Sequence, residues 1–245
     1  MKISNWIQLA VLCLLMSTSA CYFDDDDGGL FNCEKGEGDI VSQELTLNEF
    51  YGIELKIDAD VYLVQGAKQK VLVEGQENIV DLIELDIQDD IWEIEFDDCV
   101  RNYDQLKIFV TLPDVDKLSL SGSGKIESEG LLTTEFLELR VSGSGDMNLE
   151  LDAIELEARI AGSGEMQLEG VVDKADLSIS GSGDFEAFGM ETGQMEINIS
   201  GSGDADVNVA DQLDIKISGS GDVRYKGFPV INVDISGSGD VRDAN

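Results

Sequence analysis

The chain has 245 residues, with 51 acidic and 16 basic side chains, no histidine and two prolines, for a formal charge of −35. A charge of that size repels nucleic acid instead of releasing its counterions, and it argues against anionic membrane surfaces and polyanionic substrates. With 42% apolar residues there is material for a long core, so the charge does not signal disorder.

Lys2, the apolar stretch Leu9 to Met16 and the small residues Ser17-Thr18-Ser19-Ala20 read as a secretory signal over residues 1–20. The segment is too short for a stable membrane span. Small residues directly before Cys21 resemble a bacterial lipobox, with Thr18 where leucine is usual. The resemblance implies a lipid on Cys21 that holds the chain to a membrane; the alternative is ordinary cleavage that leaves Cys21 free. Residues 21–38, rich in Asp and Gly, read as an acidic tether. Within it, Asp24 to Asp27 resemble the acidic signals that send lipoproteins to the outer face of the outer membrane. The same run also reads as a solvated spacer extended by its own repulsion.

Cys13 leaves with the signal and Cys21 takes lipid, so Cys33 and Cys99 remain as the pair expected to form one disulfide in an oxidising compartment. Residues 39–117 hold strand-like runs without a strict repeat, among them Ile53 to Ile57, Val61 to Val64, Lys70 to Glu74, Trp92 to Phe96 and Leu106 to Val110. They read as a degenerate part of one solenoid, with a short helical turn open at Ile79 to Ile83.

Residues 118–245 are regular. A Ser-Gly-Ser-Gly-acid pentapeptide, or a close variant, begins at Ser121, Ser142, Ala161, Ser180, Ser200, Ser218 and Ser236, at spacings of 21, 19, 19, 20, 18 and 18. Alternating runs enter and leave each copy, as in Leu213 to Ile217 and Asp222 to Tyr225. Fourteen of the 26 glycines lie in these seven motifs, which marks turns and not a linker. The expected fold is all-β, a two-sheeted β-helix of about 19 residues per coil. Met147, Met166, Phe185, Ala205, Val223 and Val241 are expected to form one interior ladder.

These motifs, with Gly-Ile-Glu-Leu at 52–55, Asp-Val-Tyr-Leu at 60–63, Val-Glu-Gly at 73–75 and Val-Thr-Leu-Pro at 110–113, resemble the family called putative auto-transporter adhesin, head GIN domain. The resemblance covers about residues 36–240. It implies a two-sheeted β-helix, lipoprotein export and a role in cell adhesion, and it supplies no catalytic residues.

Three functions stand against one another. A surface lipoprotein that presents a rigid face to a protein or glycan of a cell surface or matrix fits the anchor, tether and repeats. A cation-binding or structural envelope module would use the acids that follow the motif glycines. Asp184, Asp204, Asp222 and Asp240 are its metal candidates and calcium its ion, the competing view being that each Asp caps its own turn. A carbohydrate-active β-helix enzyme would need a basic proton acceptor or paired carboxylates beside aromatics. The chain has no histidine, and one tryptophan, Trp92, beyond the signal. The expectation is therefore a non-enzymatic protein without a cofactor. Its oligomeric state and ligand are left open.

Overall fold

Period-2 alternation builds the coils. The strand Asp146–Ile160 opens with Asp146 exposed, Met147 buried, Asn148 half-buried and Leu149 buried, and the strand stacked on it, Glu165–Gly181, likewise buries Met166 and Leu168 between less buried neighbours. The computed structural model describes residues 33–245, of which 67% are strand and 2% helix, arranged as a β-solenoid of about 19 residues per coil. The signal segment, Cys21 and Asp24 to Asp27 lie outside the described residues.

Strands entering the turns pair in parallel and in register. Leu118 faces Leu139, and the column continues through Ala158, Leu177, Ile197, Ile215 and Val233. Strands leaving the turns form the second column, from Ile126 through Met147, Met166, Phe185, Ala205 and Val223 to Val241. That is the expected interior ladder with one further rung. Both columns are apolar because parallel strands stacked around one core must bury the same face in every coil. Coils of unequal length are reconciled at the corners, where the register shifts after Glu127, Gln167 and Ala187.

Order in space departs from order in sequence at the other end. Strand Gly52–Leu55 lies between Lys117–Leu120 and Ile91–Ile94, parallel to both. Likewise Asp60–Gln65 lies between Lys125–Val141 and Lys107–Leu112. The chain therefore makes one coil, folds residues 66–116 against its far side, and crosses back to start the regular stack. Beyond Lys107–Leu112 the pairing turns antiparallel, through Lys70–Gln76 to Ile40–Leu45. The helix Glu77–Val80 buries Ile79 and Val80 here, and so lies earlier than the helical turn left open at Ile79 to Ile83. Phe50 and Trp92 fill the core of this end with ring centroids 5.8 Å apart, and Trp92 Nε1 donates to Glu84 O at 2.9 Å. The Cys33–Cys99 disulfide is formed, and Glu34–Lys35 pairs with Val100–Arg101 beside it. One end of the solenoid is thus closed by a stapled cap.

Candidate functional site

The motif turns stack so closely that a side chain at a motif glycine meets backbone. A Cβ on Gly143, Gly162 or Gly203 would lie 2.1, 2.2 or 2.2 Å from a carbonyl oxygen of the preceding coil. Among the motif glycines a positive φ, the backbone region that favours glycine, occurs only at the second motif position of the last four copies. Gly181, Gly201, Gly219 and Gly237 have φ of +146, +151, +147 and +147°. Gly122, Gly143 and Gly162 are outside that region. The pentapeptide therefore has two backbone forms, and close stacking is what they share.

The forms differ in how the acid is used. Above a turn of the first form, backbone completes the rung: Asp146 N–H donates to Gly124 O at 3.2 Å, Glu165 N–H to Gly145 O at 3.3 Å and Asp184 N–H to Gly164 O at 3.2 Å. Above a turn of the second form, the carboxylate does so. Asp204 N–H donates to Asp184 Oδ1 at 3.2 Å, Asp222 N–H to Asp204 Oδ1 at 2.7 Å and Asp240 N–H to Asp222 Oδ1 at 2.9 Å. Asp184, Asp204 and Asp222 so cap the following coil's turn. This corrects the reading in which each caps its own; only Asp240 reaches its own turn, accepting from Val241 N–H at 2.9 Å. Among the described residues no group of three or more His, Cys, Asp or Glu side chains is placed to hold a metal ion.

Stacked acids disturb one another. Burial, then the facing charges of Glu186, Asp146 and Asp184, pushes the Glu165 carboxyl above the ordinary carboxylate range. At the other end of the column the Arg242 guanidinium, with the Val241 amide, holds Asp240 below it.

A more open site lies on the corners. A groove of about 730 Å³ is lined by Asp114, Asp116, Glu135, Phe136, Asp152, Ile154 and Asp173, with Thr133 and Thr134. Phe136 and Ile154 are 43% and 51% exposed, and Leu131 and Val171 are exposed along the same corner. The local cause is a break in alternation. Leu131-Leu132, Ala153-Ile154 and Val171-Val172 are apolar doublets, and neighbouring residues of a strand point to opposite faces. Leu132, Ala153 and Val172 take the core, so Leu131, Ile154 and Val171 are left outside. Apolar ledges among like-charged carboxylates form a surface suited to a cationic segment with apolar side chains. The sequence reading passed over this surface, although the doublets mark it.

A second patch has the opposite charge. Arg224 Cζ and Lys226 Nζ lie 5.7 and 4.2 Å from the centroid of the half-buried Phe188 ring, and Arg224 is also paired with Asp206.

Comparison with known proteins adds the following. A family model described as putative auto-transporter adhesin, head GIN domain, matches residues 49–229. A solved structure described as a putative adhesin from Bacteroides fragilis is 27% identical, with a TM-score of 0.82 over 86% of this chain and 99% of that one. Another putative adhesin, from Parabacteroides distasonis, is 25% identical with a TM-score of 0.70 and the same coverage of 86% and 99%. A third, described as a putative lipid binding protein from Parabacteroides distasonis, is 24% identical with a TM-score of 0.73, again over 86% and 99%, and speaks for the fold alone. No curated protein matches.

Proposed function

The chain belongs to the putative auto-transporter adhesin, head GIN domain family, and from that premise we propose that it is a non-enzymatic attachment module of the outer cell surface. A lipid on Cys21 would hold it to the outer membrane, and Asp24 to Asp27 would direct it outward. Its partner is a protein of a cell surface or matrix that carries a cationic segment. The observation behind this reading is the corner groove, where Phe136 and Ile154 stand exposed among Asp114, Asp116, Asp152 and Asp173. In-register strands hold these groups at fixed positions before binding, so docking loses little conformational freedom.

Beads coated with the chain from Tyr22 onward test it against intact cells and matrix proteins. Attachment should weaken as salt is raised from about 0.05 to about 0.3 M, because the Debye length shortens over that range. It should be lost when Phe136 and Ile154 are both changed to Glu. Attachment that survives this variant, or that disappears on deglycosylation of the target surface, would contradict a cationic protein partner.

A further inference from the structure

The two ends of the solenoid differ. Strand Val230–Gly237 pairs on one side with residues 212–219, and among the described residues nothing pairs with its other side. Among the described residues no further coil covers its inward side chains. Val233 and Ile235 are 46% and 38% exposed, whereas Ile215 and Ile217, their counterparts one coil back, are each 2% exposed. The companion strand at this end is guarded. Asp243 follows Val207 and Tyr225 in an otherwise apolar inward column. Val241 N–H, whose counterpart Val223 N–H donates to Asp240 O of the next coil, is taken instead by Asp240 Oδ1 at 2.9 Å. An inward charge and a closed backbone block edge pairing on that side, and leave the neighbouring edge bare.

We propose that this edge pairs with the same edge of a second copy, antiparallel and centred on Val233. Directly opposed residues of an antiparallel pair point to the same face. With Val233 opposite Val233 of the second copy, Ile231 meets Ile235, so every inward pair is apolar. Outward, Asn232 then meets Asp234. Moving the centre to Asp234 would set two carboxylates directly opposite each other.

Charge permits the approach. Residues 212–245 hold five acids (Asp214, Asp222, Asp234, Asp240, Asp243) and four bases (Lys216, Arg224, Lys226, Arg242), a net −1 of the chain's −35. The two-fold arrangement uses up both edges and closes as a dimer. The pairing stands on the edge alone.

Cysteine cross-linking of the chain from Tyr22 onward tests the register. Cys at position 233 faces itself across the two-fold at about 4.5–5.5 Å between Cα atoms, within disulfide reach. Cys at 230 stands about 20 Å from its copy, six residues along the strand at about 3.4 Å each. Oxidation should give a covalent dimer for Val233→Cys and none for Val230→Cys. The native chain should show a mass in light scattering that rises with concentration, and Val233→Asp should weaken this at least tenfold while its circular dichroism stays native. Equal cross-linking at both positions, or a monomeric native chain together with no Val233→Cys dimer, would overturn the pairing. Neither readout depends on attachment to a target surface.

Discussion

The closeness of the stacked turns can be measured by separating the two burdens that a motif glycine carries. Gly130 has φ of +118° and nothing within 4 Å of an added Cβ, so Gly130→Ala meets the backbone cost alone. That cost is about 1–2 kcal/mol, offset in part by the lower entropy of the unfolded chain. Gly203→Ala meets stacking alone: its Cβ would sit 2.2 Å from Gly183 O and 2.8 Å from Ile179 Cγ2. Gly201→Ala meets both, with φ of +151° and a Cβ 2.2 Å from Gly181 O. To relieve that contact the coil must lift, and it stretches rungs such as Ser202 N–H to Gly181 O at 2.8 Å and Ser220 N–H to Gly201 O at 2.8 Å. Each lost rung removes about 1 kcal/mol. Added to the backbone cost, the total for Gly201→Ala is about 3–4 kcal/mol, against about 1 for Gly130→Ala. For a chain of this size each kcal/mol lowers the melting temperature by about 2–4 °C. Thermal melts followed by far-ultraviolet circular dichroism should therefore rank Gly130→Ala mildest, Gly203→Ala next and Gly201→Ala worst. A Gly201→Ala melt no lower than that of Gly130→Ala would refute the stacking argument.

Other expectations follow from the cap, the acid column and the anchor. Cys99→Ser should destabilise the chain by about 2–4 kcal/mol, since the bridge closes a long loop, and limited proteolysis should find the earliest cuts in residues 33–116. The raised Glu165 carboxyl binds its proton more tightly folded than unfolded. Its charge therefore weakens the fold above its folded-state pKa and has no effect below the unfolded one. Glu165→Gln should accordingly raise the melting temperature at pH 7 and leave it unchanged near pH 3; an equal gain at both values would contradict this. Protease shaving of intact cells should digest the native chain and spare a variant with Asp24 to Asp27 changed to Ala. Cys21→Ala should release the protein from the membrane fraction.

Turn, alternation and ladder were legible because one constraint, burial of the same face in every coil, repeats at each copy. The disulfide followed from counting cysteines. The cap was not legible, because strands such as Lys70–Gln76 and Asp60–Gln65 alternate alike, yet one pairs antiparallel and the other in parallel with Lys107–Leu112. Local sequence also cannot choose between the two turn forms. Ser142 to Asp146 and Ser180 to Asp184 are identical pentapeptides, yet only Gly181 has positive φ. The corner groove had a signal in the doublet Ala153-Ile154, with Leu131-Leu132 and Val171-Val172 beside it. Its acids come from four separate segments, 114–116, 135, 152 and 173, that only stacking brings together.

Attachment of intact cells tests the account most directly. Cells that carry the native chain would be compared, at equal surface amounts, with cells that carry Phe136→Glu and Ile154→Glu together. A washed flow chamber coated with the target surface would count the cells retained. The account predicts retention for native cells, falling with salt, and loss of it in the variant to the level of cells without the chain. Equal retention by all three strains would contradict it.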